Sequence, residues 1–343
     1  MPRIISTGLI GFGLSGRYFH APFLHTNPNF RLTKVVERHR NEAQAFDPAI
    51  QTVRSHEELL ADPDIELVIV STPNDTHFPY AKAALEAGKH VLIEKPFANT
   101  ATQARELLDL AQQKGLVAIP YQNRRYDADF LTIQQVFAAG HLGEIVEYEA
   151  HFDRYRPEIL NSWKELDADG GGNLLNLGPH LVDQAVVLFG APEAVFGDIR
   201  VVRTGGKLDD YFDIRLFYSD KRVILKSSLV AAENRLRYLI HGRKASLAKN
   251  GLDIQEETLR KDVLPNTPAW GQEPEAHYAT LTSPEDRTVI PSLAGNYHPF
   301  YDNLAAAIRG ERPAEITAEQ VMTTLRILDL AQESSRTGKV ERF

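Results

Sequence analysis

An α/β protein in two parts is predicted for this 343-residue chain, on two observations. Through the first 120 residues, short apolar runs alternate with helix-like stretches, the pattern of a parallel sheet covered by helices. Beyond about Gln122 the period changes to a two-residue alternation rich in β-branched and aromatic residues, which reads as a large open mixed, mainly antiparallel sheet. At 43% hydrophobic the chain can bury two cores, and the division is drawn at 1–122 and 123–343.

In the first part, strands are expected over Ile4–Ile10, Arg31–Val36, Leu67–Ser71, His90–Ile93 and Val117–Pro120, each an apolar run bounded by turn-forming residues. Helices fit between them, most clearly Thr76–Ala87 closed by Gly88 and Thr100–Lys114 closed by Gly115, since glycine accepts the left-handed backbone that ends a helix. In the second part, strands are expected over Glu144–Tyr155, Val195–Val202, Asp213–Tyr218, Val223–Val230 and Leu236–His241. Helices flank them at Tyr126–Ala139, Leu174–Phe189, His298–Arg309 and Thr317–Ser335. Lys249–Pro291 is charged, proline-rich and without a clear period, and reads as a long excursion or lid over one sheet edge.

Composition excludes several classes. No run of about 18 apolar residues exists, so no membrane span is expected. The apolar start runs straight into a glycine loop without a small-residue cleavage site, which makes it a first strand rather than a signal peptide. Zero cysteines remove disulfides, thiol catalysis and cysteine-ligated metal together; no metal site is expected, and a reducing, cytoplasmic setting fits. A net charge of −8 argues against a nucleic-acid surface. Small molecules and further copies of the chain are the expected partners.

Gly11-Phe12-Gly13-Leu14-Ser15-Gly16 follows the first strand and opens a helix, the setting of a dinucleotide phosphate loop. The first glycine makes the turn, the second admits the pyrophosphate, and the third lets helix and strand approach, while helix N–H groups face the phosphate oxygens. Glu37 closes the second strand, where a carboxylate accepts the ribose hydroxyl of NAD and repels the 2′-phosphate of NADP. NAD is therefore placed ahead of NADP, although Arg38, His39 and Arg40 follow at once and a guanidinium can hold a phosphate. Ser71-Thr72-Pro73-Asn74 ends a buried strand and is a second cofactor element, with His77 beyond it. Capping explains Asn74 as well as cofactor contact does, and an ordinary first-turn residue explains His77.

Chemistry is sought at Glu94-Lys95-Pro96, where a cation stands at a strand end beside a proline that permits a cis bond. A nicotinamide enzyme acting on an alcohol needs a base for the hydroxyl proton and a donor that holds the oxygen. Lys95 suits the second task. For the first, Gly170-Gly171-Gly172 leads into Asn173–Asp183, where a helix puts Asn176, His180 and Asp183 on one face, with histidine the base near neutral pH. Asp183 either orients the imidazole or bonds backbone nearby. Donor-rich Gln122-Asn123-Arg124-Arg125-Tyr126 and Asp153-Arg154-Tyr155-Arg156-Pro157 suit a polyhydroxylated substrate, with a solvated charge network as the alternative.

Together the glycine loop, Thr72-Pro73-Asn74 with His77, Glu94-Lys95-Pro96 and the glycine-led segment to His180 resemble the Gfo/Idh/MocA family of nicotinamide oxidoreductases over nearly the whole chain. Gln122-Asn123-Arg124-Arg125, Asp153-Arg154-Tyr155-Arg156-Pro157-Glu158 and Gly178-Pro179-His180-Leu181-Val182-Asp183-Gln184 are similar to a branch containing NADP-dependent scyllo-inositol dehydrogenases. The resemblance implies a Rossmann domain followed by an α/β domain whose open sheet often makes dimer or tetramer contacts. It also implies a substrate at the domain interface and Lys95 with His180 as the catalytic pair; the leading reading is hydride transfer between nicotinamide and a ring hydroxyl of a cyclic polyol or sugar, its other hydroxyls bound by Asn123, Arg124, Tyr155, Arg156 and Asn176. The family's usual acid four residues before the histidine is here Asn176, an amide that cannot carry charge. That departure supports one alternative, a cofactor-binding regulator or sensor without turnover; a separate alternative is a hydrolase that uses bound cofactor transiently.

Overall fold

The structure is a computed structural model that describes residues 3–160, 165 and 170–343. In chain order its first elements are β1 (Ile5–Ile10), a π-helical turn (Gly16–His20), α1 (Ala21–Thr26), β2 (Phe30–Val36), α2 (Glu42–Phe46), β3 (Gln51–Val53), α3 (His56–Leu60), β4 (Leu67–Val70), α4 (His77–Glu86), β5 (His90–Ile93), α5 (Ala101–Lys114) and β6 (Ala118–Pro120). There follow α6 (Ala128–Ala138), β7 (Ile145–His151), α7 (Asn173–Phe189), β8 (Ala194–Arg200), β9 (Tyr211–Phe217), β10 (Arg222–Ser228), β11 (Leu236–Gly242) and β12 (Ser246–Asn250). The last are α8 (Gln255–Leu259), β13 (Ala279–Thr282), β14 (Arg287–Ile290), α9 (His298–Ile308), α10 (Ala318–Thr337) and β15 (Glu341–Arg342).

Six parallel strands form the first sheet in the order β3-β2-β1-β4-β5-β6. The order turns back between β1 and β4, and open α/β sheets take their ligands beyond the carboxyl ends of the strands at such a reversal. All four residues of β4, Leu67-Val68-Ile69-Val70, are buried, as expected of a strand covered on both faces. Local chemistry sets the helix ends: Ser55 accepts the Glu58 N–H at the start of α3 and Thr100 the Gln103 N–H at the start of α5. At the far end of α5, Gly115 turns left-handed with φ 66°.

Nine strands form the second sheet in the order β14-β13-β12-β11-β7-β10-β9-β8-β15, with β7 and β10 its one parallel pair among the described residues. Leu174, Leu177, Leu181 and Ala185 of α7 join Tyr148, Ile214, Leu216, Val223 and Leu225 of the strands and Ile327, Leu328 and Ala331 of α10 in one buried cluster. Gly178 keeps α7 close to its neighbours, since a side chain there would stand 3.1 Å from both Leu174 and Leu328. The opposite sheet face carries Glu149, Arg215 and Lys226, with Asp213 and Arg215 paired at 3.1 Å. One face is thus apolar and the other polar, the alternation read from the sequence.

By contacts the chain divides into two units. One holds residues up to Asn123, Gln255–Trp270 and Asn296–Val321; the other holds Arg124–Ile254, Gly271–Gly295 and Met322–Phe343. The expected division at 1–122 and 123–343 lacks the two returns to the first unit. Lys249–Pro291 differs from the expected excursion as well. Its polar four-residue strands β13 and β14 extend the second sheet by one hairpin, and α8 belongs to the first unit.

Candidate active site

Gly11, with φ +93°, turns the chain out of β1, and a side chain there would lie 2.5 Å from the Ser71 carbonyl oxygen at the end of β4. A side chain on Gly16 would meet the Gly11 carbonyl oxygen at 2.4 Å, whereas one on Gly13 would meet nothing within 4 Å. Two of the three glycines are therefore required by the fold, and the middle one faces open space where a pyrophosphate needs backbone N–H groups within reach. Phe12 is buried against Phe46, Leu14 is exposed and Ser15 is half-buried. Ser71 supports the same location, because its hydroxyl oxygen is buried without a hydrogen-bond partner beside the β1–β4 reversal. These residues fit a dinucleotide, whose phosphates the Gly11 to Gly16 loop would hold.

Glu37, at the end of β2, also shapes the loop that follows it. Its two carboxylate oxygens accept the Glu42 and Ala43 N–H groups, each at 3.0 Å, and so cap α2. Arg54 braces the same loop through the Glu37 and Arg40 carbonyl oxygens, both at 2.8 Å. Arg38, His39 and Arg40 stand exposed on it, Arg38 3.3 Å from the Tyr80 hydroxyl and Arg40 paired with Glu42.

Thr72-Pro73-Asn74 and Glu94-Lys95-Pro96 are tied together by His77. Its ring, 0% exposed, places Nδ1 2.7 Å from the Pro96 carbonyl oxygen and Nε2 3.0 Å from that of Thr72. Burial pushes this imidazole below its ordinary value against the pull of both carbonyls. His77 thus holds two backbone turns rather than facing solvent. The Lys95–Pro96 bond is cis. Glu94 accepts the Lys95 N–H at 3.2 Å and lies 3.2 Å from His20 Nε2. Burial pushes the Glu94 carboxyl up, but the bond and charge of His20, with Lys95 and His77, outweigh it and hold it at about 2. His20 is a residue that sequence reading missed; the available signal was a lone histidine inside the apolar stretch Phe19–Leu24.

On the second unit, α7 carries Asn176 and His180, the latter 6% exposed. Asp209 sets the entry of this helix: its Oδ2 accepts the Leu174 N–H at 2.6 Å and its carbonyl oxygen the Asn173 N–H at 2.7 Å. A side chain on Gly172 would come within 2.2 Å of Asp209 Oδ1, so this glycine permits the cap. Burial raises the Asp209 carboxyl to about 6 against the Leu174 amide. Asp183 pairs both oxygens with Arg125 at 2.7 Å, a partner that neither sequence reading foresaw. Arg124 is buried, 3.1 Å from Asp127 and over the Phe152 ring, and its carbonyl oxygen accepts from Gln184. Asn123 is buried, and Tyr155 and Arg156 are exposed.

Among the described residues no helix is long and apolar enough to cross a membrane. Comparison with known proteins agrees with this architecture. The NAD-binding Rossmann fold of the Gfo/Idh/MocA oxidoreductase family matches residues 5–122, and that family's C-terminal alpha/beta domain matches residues 135–341. An uncharacterized oxidoreductase of Escherichia coli, YdgJ, is 39% identical over 97% of this chain and 96% of its own. The scyllo-inositol 2-dehydrogenase (NADP(+)) IolW of Bacillus subtilis is 37% identical over 97% of this chain and 94% of its own. A crystal structure of a putative oxidoreductase from Bacteroides fragilis superposes with a TM-score of 0.91 at 43% identity, covering 99% of this chain and 100% of that one. The two family matches and these relatives, similar along nearly the whole chain, place it in the Gfo/Idh/MocA family, as an NAD(P)-dependent oxidoreductase.

Proposed function

We propose that the protein moves hydride between nicotinamide and a ring hydroxyl of a cyclic polyol or sugar. The observation that carries this reading is Lys95, a cation at the carboxyl end of β5 in the same sheet as the Gly11–Gly16 loop, its turn fixed by Glu94 and His77. The bound cofactor supplies the hydride acceptor or donor. Lys95 donates to the reacting oxygen and stabilises its developing negative charge. His180 takes the hydroxyl proton in the oxidation direction. Asn176 bonds a neighbouring hydroxyl, and Tyr155 and Arg156 offer further donors.

NADP is accepted alongside NAD in this reading. Two amide bonds from α2 already draw on the Glu37 charge, which weakens its repulsion of a 2′-phosphate, and Arg38 and Arg40 are exposed beside it. We also read the polar face of the nine-stranded sheet as the surface where copies of the chain associate as a homodimer or homotetramer. Sedimentation as a monomer at assay concentration would overturn that part.

A panel of polyols and sugars with each cofactor, followed by the absorbance of the reduced nicotinamide, tests the reaction. Turnover of at least one ring polyol is expected. Tight cofactor binding without turnover on any of them would favour a second reading, a cofactor-binding sensor, which Asn176 supports because the amide lacks the charge that steadies an imidazolium.

A further inference from the structure

His20 lies in the π-helical turn that follows the phosphate loop, and its ring is 0% exposed. Single π turns inside α-helices recur at functional sites because they re-aim a residue and free a carbonyl. Here the Phe19 carbonyl oxygen accepts two phenol hydroxyls, those of Tyr121 and Tyr301, each at 2.9 Å. The His20 ring packs against Tyr121 with centroids 4.5 Å apart, and its Nδ1 lies 2.9 Å from the Tyr301 hydroxyl. Its Nε2 lies 3.2 Å from Glu94 Oε1, while Glu94 Oε2 accepts the Lys95 N–H.

Proton counting makes one end of this chain constant. With the Tyr301 hydroxyl donated to Phe19, Nδ1–H donates to the phenol oxygen and Nε2–H to Glu94. With that hydroxyl turned to Nδ1, the ring is neutral and Nε2–H still donates to Glu94. The carboxylate is therefore held in both arrangements. Packing alone does not account for the cluster, because a buried ionic pair is commonly no more stabilising than apolar residues of its size. What the apolar residues lack is a fixed carboxylate under the Lys95 amide.

We infer that His20 is a positioning residue for the reaction: through Nε2 it clamps Glu94, and Glu94 holds the turn from which Lys95 reaches the reacting oxygen. This rests on the role given to Lys95 above. It makes the helix that leaves the phosphate loop and the catalytic turn parts of one hydrogen-bonded chain.

His20→Gln and His20→Asn separate the two ends of the ring, since the Gln amide nitrogen reaches the place of Nε2 and the Asn amide only that of Nδ1. H20Q is expected to keep kcat within about threefold. H20N is expected to lose about 10- to 100-fold in kcat with KM little changed, the usual scale for residues that orient a catalytic group. A readout independent of turnover is the carbon resonance of reductively methylated Lys95, assigned by its absence in K95R. It should move in H20N and stay in place in H20Q. If H20N shows no cooperative unfolding transition, E94Q takes its place, with the same loss and the same shift expected. Wild-type kcat in folded H20N or E94Q, or equal losses in H20Q and H20N, would overturn the inference. Full activity in K95A would instead remove the proposed role of Lys95, and the resonance would still report whether His20 positions it.

Discussion

Lys95 leaves a four-residue strand end whose neighbours are held by local polar contacts: Glu94 to His20 and to the Lys95 N–H, and His77 seated between the Pro96 and Thr72 carbonyl oxygens. His180 rides on the 17-residue α7, which is entered through glycines, contains Pro179 and is located by apolar packing along its length. The first arrangement is local and polar, so a change in one group is felt at one amide. The second distributes its constraints over many side chains, so its polar residues adjust the rate more than the placement.

The largest effect that tests this contrast is expected from Lys95→Ala, with kcat reduced about 100- to 1,000-fold in steady-state assays while cofactor affinity measured by fluorescence stays within about threefold. His180→Gln should follow at about 100-fold and should erase the acidic limb of the kcat/KM profile for oxidation. Asn176→Asp is expected to raise that limb by about one pH unit, because a carboxylate near the imidazole favours its protonated form. An unchanged profile would mean that position 176 does not sense the histidine. The smallest effect belongs to Asp209→Asn. An acid raised to about 6 stabilises the fold while protonated; that contribution is complete below its ordinary 3.8 and is lost as pH rises through about 6. The amide stays neutral and still caps Leu174, so Tm of the variant should fall less than that of the wild type as pH rises from about 4 to about 6.

Much of the first sheet was legible because each strand is an unbroken apolar run ended by a turn residue; His90–Ile93 agrees to the residue. β3, α2 and α3 were not read, for Gln51–Val53 is three residues with one buried, and α2 and α3 have five residues each. The hairpin β13–β14 was read as a lid because strands at a sheet edge face solvent and need no apolar alternation, Val289 being 60% exposed. At the site, the glycines and Lys95 announced themselves by motif. His20, Asp209 and the pairing of Arg125 with Asp183 did not, because their partners lie 74, 35 and 58 residues away and no local spacing encodes them. Glu37 shows the same limit at short range: no local spacing announces that its two oxygens also cap α2.

The interleaving of the chain bears on how the protein is made. Phe23, under the phosphate-loop helix, stacks on Tyr301 at 5.7 Å and meets Trp270 and Tyr297 at 6.2 and 5.5 Å. These partners emerge from the ribosome long after the six strands of the first sheet. A nascent chain stalled near residue 123 carries the complete sheet but lacks the aromatic wall beneath its cofactor loop and the phenol that steadies His20. The first unit therefore gains its last partners only once synthesis has run past Tyr301, and a fragment ending at the first sheet is expected to bind chaperones rather than stand as a free cofactor-binding domain.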